Sequence, residues 1–203
     1  MNAGPALSPS ITDCGLTGIR EVPYGAHMLH IYRDRDDLLE ALVDYFSAGL
    51  HLDERCLWIT SAPLTPADAR RALAAAMDVD AVIAAGRLRI LDESAFAGGG
   101  KSGEEACAYW LSEEERALAE GFRGLRIAGN ADFVTAEQWS AFMDYEEACH
   151  RAFRGRRIVA LCCYARQRRG ASEIFELLGR HSCALEHPDE GWQITTPSIP
   201  SAT

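Results

Sequence analysis

The chain has 203 residues, of which 48% are hydrophobic, and its formal net charge at pH 7 is -10. This length suits one domain with a substantial core, and the negative charge argues against a general nucleic-acid or anionic-membrane surface, because both attract cations. The sequence shows no secretory signal pattern, no apolar run of about 18 residues and no CxxC pair among its seven cysteines. We therefore expect a soluble cytoplasmic protein with reduced cysteines.

The N-terminal part of the chain predicts a tail followed by a core strand. Residues 1–23 are rich in glycine, proline and serine and show little periodicity, so we expect a mobile tail or an irregular lead-in to the first core strand. Residues 25–32 (GAHMLHIY) predict the first strand of the core. Because successive side chains of a strand point to opposite faces, His27 and His30 should lie on opposite sides of the sheet.

From residue 34 onward, helical and strand patterns alternate. Asp34 and Thr65 precede apolar residues at helical spacing and are typical helix caps. Helices are predicted at residues 35–50, 66–77, 79–85, 102–121, 135–153 and 172–180, strands at 56–60, 87–91, 124–129 and 157–164, and a terminal hairpin at 183–186 and 192–195. This order indicates an α/β three-layer sandwich, in which a mostly parallel central sheet lies between two helical layers and ends in a C-terminal β-hairpin.

The expected ligand site lies beyond the carboxyl ends of the parallel strands, where such folds usually bind ligands. The residues that reach this edge are Tyr32, Thr60, Ser61, Asp92, Gly129, Asn130, Cys163 and Tyr164. We predict a pocket in which His27 and Tyr32 hydrogen-bond the ligand, while Asn130, Cys162 and Tyr164 shape the wall. Since His27 and Tyr32 belong to opposite faces, they can contact one ligand only if Tyr32 lies past the strand end.

A glycine-rich segment at residues 98–102 (GGGKS) resembles a phosphate-binding loop. The match fails at its first position, where Ala95 stands in place of glycine. The segment also follows the third predicted core strand instead of the first, where a nucleotide-binding loop of this architecture would lie. A flexible surface loop is the favoured interpretation, with nucleotide binding as the alternative.

Histidine and cysteine side chains on central strands raise the question of a metal or catalytic site. These residues are His27, His30, Cys162 and Cys163. Strand parity places at most one of these histidines and one of these cysteines in a given pocket, whereas a structural zinc site usually takes four nitrogen or sulfur ligands. A cysteine nucleophile paired with His27 or His181 is a further alternative, but no glycine-flanked nucleophile turn is present. We therefore assign no metal site, no cofactor and no catalytic residue.

An acidic stretch lies in the helix predicted before the last core strand. Asp144, Glu146 and Glu147 offer paired carboxylates beside Tyr145. Acidic residues on a helix more often form a solvated face, and this is the favoured interpretation for Glu147.

Seven segments occur in an order and spacing typical of one protein family. They are GAHMLHIY, YFSAGL, ERCLWITSAPL, GFRGLRIAGN, DYEE, ALCCY and ASEI, the last followed by His181. Over residues 25–195 the chain therefore resembles the MEDS domain, the DcmR-type sensory domain of methanogen and methylotroph signalling proteins. The family's recurrent polar residues match His27, Tyr32, Gly129, Asn130, 144–146, Cys162, Tyr164 and His181. Leu29 is a departure, because the family often carries a cysteine two residues after the first histidine.

The resemblance implies a non-catalytic input domain for simple hydrocarbon derivatives, usually joined to a DNA-binding region or a histidine kinase. It also implies distant kinship with RecA-like and KaiC-like ATPases, without their phosphate loop. We expect one sensory domain at residues 24–196 and a C-terminal tail at 197–203, which leave no room for an output domain. Signalling would then pass in trans to a regulator or histidine kinase, without direct contact to nucleic acid or membrane. The alternative is a degenerate ATPase-like scaffold that binds a protein partner and no small molecule.

Overall fold

The computed structural model describes residues 10–19, 21–94, 103–187 and 191–196. Its strands are β1 (Ile11–Asp13), β2 (Glu21–Pro23), β3 (His27–Tyr32), β4 (Arg55–Thr60), β5 (Leu88–Asp92), β6 (Leu125–Asn130), β7 (Ile158–Ala165), β8 (Cys183–Glu186) and β9 (Gln193–Thr195). Its helices are α1 (Arg35–His51), α2 (Pro66–Ala74), α3 (Val79–Ala84), α4 (Gly103–Ala119), α5 (Trp139–Ala152) and α6 (Ala171–Arg180). The glycine-rich segment at 98–102 and the predicted C-terminal tail lie outside the described residues.

Seven strands form one central sheet in the order β5-β4-β6-β7-β3-β8-β9. All neighbours are parallel except β8 and β9, which form the predicted antiparallel hairpin. Every residue of β4 is buried, as expected for a strand covered by helices on both faces. The predicted three-layer α/β architecture is therefore confirmed. None of the helices in the described ranges has the length and apolarity needed to cross a membrane.

Local sequence signals account for where most helices begin. The Asp34 carboxylate accepts hydrogen bonds from two backbone N–H groups in the first turn of α1. Thr65 and Asp68 form a capping box at α2, whose first residue is Pro66. Helix α5 differs from the prediction, since it begins at Trp139 and not near Thr135. The Gln138 side chain accepts a hydrogen bond from the backbone N–H of Thr135, and this bond stabilises a turn ahead of the helix.

The alternation of side chains along the strands separates two cores. On one face, Met28 and Cys163 pack in the core that includes α1 and α2 residues such as Leu42. On the other face, Leu29 and Tyr164 pack with residues of α5 and α6. A further cluster on this second face joins β4, β6 and β7 to α4 and α5. Each helical layer therefore covers one face of the sheet, and each face carries every second side chain of the strands.

The N-terminal segment differs from the mobile tail that its composition predicts. In its described part, residues 10–19 and 21–23, β1 and β2 pair as an antiparallel ribbon. Cys14, Leu16 and Val22 are buried in the core that contains α1. Apolar residues separated by glycines can pack into a core when another part of the fold covers them. The periodicity of the segment itself does not show whether such a covering surface exists. Residues 1–9 lie outside the described part.

A buried ion pair holds this ribbon against the sheet. Arg126 of β6 and Glu54 before β4 are both fully buried, and Arg126 Nε lies 2.5 Å from Glu54 Oε2. The guanidinium also donates to the backbone carbonyl of Asp13, and Thr12 and Tyr24 donate their hydroxyls to Glu54 Oε1. Burial and the bond to Glu54 raise the pKa of Tyr24 to about 12. The charges thus have hydrogen-bond partners on both the ribbon and the sheet.

We expect Arg126→Met to lower the free energy of unfolding by about 3–5 kcal/mol, because it leaves the buried Glu54 carboxylate without its countercharge. Equilibrium denaturation by urea measures this loss. The matched control is Arg70→Met, which breaks an exposed pair with Asp80 and should cost less than about 1 kcal/mol. Equal losses in the two variants would show that the buried pair does not anchor the N-terminal ribbon.

Candidate functional site

A cavity of about 70 Å³ lies between the sheet and helices α4 and α5. Its wall consists of His27, Ile59, Trp110, Ile127, Ala128, Gly129, Asn130, Ala131, Phe133, Phe142, Tyr145, Glu146, Cys149, Phe153, Ala160, Leu161 and Cys162. Most of this surface is apolar, and polar atoms come from a few side chains. The cavity therefore runs along the face of the sheet under α5 and reaches the carboxyl edge at Asn130.

Three of the five predicted site residues line this cavity: His27, Asn130 and Cys162. Cys162 lies opposite Leu29 and Gly129 in the parallel ladders, which places its side chain on the face that α5 covers. The Asn130 amide is already engaged, since it donates to the carbonyl of Ser61 at 2.9 Å and accepts from the backbone N–H of the same residue at 3.1 Å. It therefore holds the end of β6 against the segment after β4.

The other two predicted residues, Tyr32 and Tyr164, do not line the cavity. Tyr32 ends β3 and donates its hydroxyl to the Asp132 carboxylate, in a separate cleft that also involves Asp34 and Arg168. The structure thus does not bring Tyr32 to the same pocket as His27. Tyr164 is buried behind the cavity wall and donates its hydroxyl to Glu146 Oε1 at 2.6 Å.

Four side chains converge beside the cavity, and three of them, from His27, Glu146 and Cys162, line it. Their ligand-type atoms, from His27, Glu146, Cys162 and His181, all lie within 4.8 Å of one another. His27 Nε2 is 3.1 Å from Glu146 Oε2 and 3.2 Å from Cys162 Sγ. His181 Nε2 is 3.5 Å from the same Glu146 oxygen, and the two imidazole rings stack with centroids 4.1 Å apart. We call these four residues the His-Glu-Cys cluster.

Separate elements position the cluster, which explains why sequence reasoning found only part of it. His27 and Cys162 lie on neighbouring strands, whereas Glu146 comes from α5 and His181 follows the last residue of α6. The strand-parity argument considered His27 with His30, and these two do lie on opposite faces, since His30 faces Asp37 of α1. Parity has no bearing on His181, which is not on a strand, so a second histidine joins His27.

Glu146 departs from the solvated face that an acidic helix suggests. It is only 1% exposed, and it belongs to the buried stripe of α5 together with Met143 and Cys149. These residues are three apart, so all three face the sheet. Its place in an apolar stripe was therefore the signal that could have identified it. The adjacent Glu147 is partly exposed, as predicted.

The protonation states in the cluster follow from its burial. Burial alone would raise the pKa of Glu146, but the hydrogen bond and charge of His27, followed by His181 and the Tyr164 hydroxyl, lower it to about 2. Loss of hydration lowers the pKa of His181 to about 3. Loss of hydration and the Glu146 charge raise the pKa of the Cys162 thiol well above its usual value. At neutral pH the cluster therefore holds a carboxylate, a neutral His181 and a thiol.

Backbone carbonyls orient both imidazole rings. His27 Nδ1 lies 3.2 Å from the Arg180 carbonyl oxygen, and His181 Nδ1 lies 2.7 Å from the Leu177 carbonyl oxygen. Because a carbonyl oxygen only accepts, each Nδ1 carries the proton and donates it. In the neutral His181 ring, Nε2 then presents a lone pair to Glu146 Oε2, whereas His27 Nε2 lies close to both Glu146 Oε2 and Cys162 Sγ.

The connection after β3 corresponds to the place where a phosphate loop of this architecture would lie. Here only two residues, Arg33 and Asp34, separate β3 from α1. The Asp34 carboxylate occupies the first N–H groups of α1, and Asp36 and Asp37 add negative charge to its first turn. These charges disfavour a phosphate at this helix end, where an uncapped helix would attract one.

Comparison with solved structures identifies proteins of similar fold. The KaiC-like protein PH0186 from Pyrococcus horikoshii OT3 is 12% identical, and the match covers 96% of this chain and 92% of that one with a TM-score of 0.60. The flagellar accessory protein FlaH from Methanocaldococcus jannaschii is also 12% identical, with 81% and 71% covered and a TM-score of 0.54. These likenesses show a RecA/KaiC-like fold.

Sequence comparison places the chain in a family. No curated protein sequence matches it. The model of the methanogen/methylotroph, DcmR sensory domain matches residues 26–182, which is most of the chain. This match agrees with the resemblance carried by the strand and helix motifs, and its range includes all four residues of the His-Glu-Cys cluster. The chain therefore belongs to the MEDS family of sensory domains.

Proposed function

We propose that this sensory domain binds a small organic ligand, a simple hydrocarbon derivative, in the cavity under α5 and signals in trans to a regulator or histidine kinase. The observation that carries the proposal is the cavity itself, whose wall is mostly apolar and includes three residues of the His-Glu-Cys cluster: His27, Glu146 and Cys162. Ligand pockets commonly combine apolar walls with a few convergent polar groups.

The volume of the cavity limits the size of the ligand. At about 70 Å³ it is several times the roughly 10–15 Å³ that one buried water requires. A molecule of a few non-hydrogen atoms would fit without displacing α5. The apolar body of such a molecule would contact Phe142, Phe153 and Ala160, and a polar end would reach His27 or Cys162.

The state of Cys162 supports a binding role over a catalytic one. Its thiol lies 3.2 Å from His27 Nε2, the spacing of a nucleophile and its base. A cysteine nucleophile reacts as the thiolate, however, and the surroundings of Cys162 raise the pKa of its thiol. The adjacent Glu146 carboxylate would repel a second negative charge. We therefore propose that the domain is non-catalytic.

Helix α6 offers a route from the cavity to a partner protein. His181 of the cluster follows its last residue, and Leu177 on its inner face is buried. On its outer face Phe175 is 73% exposed, the most exposed large hydrophobic side chain in the described part of the chain. Exposed aromatic residues are frequent anchors of protein interfaces. The same side chain supports the alternative function, a scaffold that binds a partner without any small molecule.

Thermal-shift measurements with C1 and C2 alcohols, halides and amines, and with nucleotides, test the ligand proposal. A ligand at 100 times its dissociation constant should stabilise the fold by about 2.7 kcal/mol. In a chain of this size that corresponds to a Tm increase of several degrees, at about 2–4 °C per kcal/mol. We expect such a shift with at least one small organic compound and none with nucleotides.

Two variants locate the binding site, each compared with its own ligand-free Tm. Ala160→Ile fills the cavity and should abolish the shift, because Ala160 is part of the cavity wall. Tyr32→Phe alters only the separate cleft and should retain the shift. The reverse pattern would place the ligand at Tyr32, and no shift with any compound would favour the scaffold function.

Hydrogen exchange tests the output route. If the ligand acts through His181, saturating ligand should slow amide exchange at least about tenfold in α6, because its C-terminal turn becomes held to an occupied site. Helix α2, on the opposite face of the sheet, is the internal control and should not change. Unchanged exchange in α6 alongside a clear thermal shift would rule out this route while leaving ligand binding intact.

A further inference from the structure

We propose that the His-Glu-Cys cluster binds one divalent transition-metal ion, with zinc as the best fit, through His27 Nε2, His181 Nε2, Cys162 Sγ and Glu146 Oε2. These atoms come from two strands, a helix and the segment after another helix, and they face a common point. The inference concerns the metal alone and does not depend on the proposed organic ligand.

The spacing of the four atoms fits tetrahedral coordination. A zinc ion with bonds of about 2.0–2.3 Å separates its ligand atoms by about 3.3–3.8 Å. In the cluster, His27 Nε2 lies 3.1 Å from Glu146 Oε2 and 3.2 Å from Cys162 Sγ, and Glu146 Oε2 lies 3.8 Å from Cys162 Sγ and 3.5 Å from His181 Nε2. These four distances lie within a few tenths of an ångström of the tetrahedral values, and no two of the ligand atoms are more than 4.8 Å apart.

The groups around the cluster are those that orient metal ligands. A histidine that binds metal through one nitrogen almost always donates its other N–H to a carbonyl or carboxylate. His27 and His181 both do so, to the carbonyls of Arg180 and Leu177. The Tyr164 hydroxyl holds Glu146 Oε1 at 2.6 Å, which leaves Oε2 free for the metal. Three of the four side chains therefore have a partner that points the ligand atom inward.

The number of hydrogen-bond donors available within the cluster is a second observation in favour of a bound cation. His181 is buried, and no donor in the described part of the chain hydrogen-bonds its Nε2. That lone pair instead faces the Glu146 carboxylate, which also only accepts. The Cys162 thiol has one proton, and its hydrogen-bond partners are His27 Nε2 and Glu146 Oε2, so His181 Nε2 has no donor. An unpaired buried acceptor is costly, and a cation at the common point would satisfy all four atoms at once.

Charge balance also favours a divalent ion. Glu146 is already a carboxylate, and the Cys162 thiol would release its proton to water as the metal–sulfur bond forms. The resulting carboxylate and thiolate carry two negative charges, which match the charge of the ion. Two imidazoles, one thiolate and one carboxylate form a donor set suited to zinc and also accepted by cobalt. Cys162 is partly exposed, and the cavity beside it provides a path for entry.

Cobalt(II) titration of the full chain under reducing conditions is the direct test, since the absorption spectrum of bound Co²⁺ depends on the identity and geometry of its ligands. We expect binding of one ion per chain, a thiolate-to-cobalt absorption band and the visible bands of tetrahedral cobalt. Competition with Zn²⁺ should remove these bands. Cys162→Ser should abolish the thiolate band and weaken affinity at least about tenfold, and His181→Ala should weaken affinity by a similar factor.

Two residues outside the His-Glu-Cys cluster serve as matched controls. Cys163→Ser changes the adjacent cysteine on the opposite face, and His30→Gln changes the strand histidine that faces α1. Both should bind cobalt with the thiolate band intact. Circular dichroism establishes that each variant is folded. If Cys162→Ser does not fold, Tyr164→Phe replaces it in the test, because loss of the hydroxyl that orients Glu146 should weaken affinity about 10–100-fold without removing the thiolate band.

Three results would overturn the proposal. One is the absence of stoichiometric cobalt or zinc binding by the folded wild-type chain, which would leave shared protons as the occupants of the cluster. Another is a thiolate band that persists in Cys162→Ser or disappears equally in Cys163→Ser, which would place the metal on another cysteine. The third is unchanged affinity in both His181→Ala and Tyr164→Phe. None of these results bears on the thermal-shift response to organic compounds, so the two proposals fail independently.

Discussion

The constraint on which the site depends is the burial of one carboxylate, Glu146, in the apolar layer between α5 and the sheet. A charge in such a position must find partners, and here the partners come from β3, β7 and the end of α6. In the described structure its ion-pair partners are both histidines. The requirement to satisfy one charge therefore fixes the relative placement of three elements and leaves their polar atoms facing a cavity.

On the opposite face of the sheet, a second buried carboxylate has a different kind of partner. Glu54 is also fully buried, but it pairs with Arg126, whose guanidinium stays charged at any pH the protein meets. That pair is permanent and attaches the N-terminal ribbon to the fold. Imidazole and thiol groups exchange protons and bind metals, so the Glu146 cluster remains chemically adjustable. The sheet thus has a buried carboxylate on each side, one paired with a guanidinium and the other with two imidazoles.

The RecA/KaiC-like fold of this chain has a capped helix end after β3 and a cavity elsewhere on the sheet. The carboxylate cap of Asp34 occupies the helix end after β3, where anion binding would need free N–H groups. The cavity lies instead on the face of the sheet, under α5, and reaches the carboxyl edge only at Asn130. The proposed ligand site therefore differs in position from a phosphate loop of this architecture, and such a difference is compatible with the fold because function depends on local sites.

Local sequence determined the strands of the central sheet, most helix boundaries and the two faces of the sheet, because side-chain alternation, helical spacing and capping act within a few residues. It also selected His27, Asn130 and Cys162, all of which line the cavity. Strand parity places His27 and Cys162 on one face, and Asn130 reaches the cavity from the carboxyl edge of the sheet. Tertiary structure alone decided that Tyr32 lies in another cleft, that residues 10–23 pack on the core, and that Glu146 and His181 join His27. These outcomes depend on contacts between residues far apart in the chain, whose geometry arises only when α5 and α6 dock on the sheet.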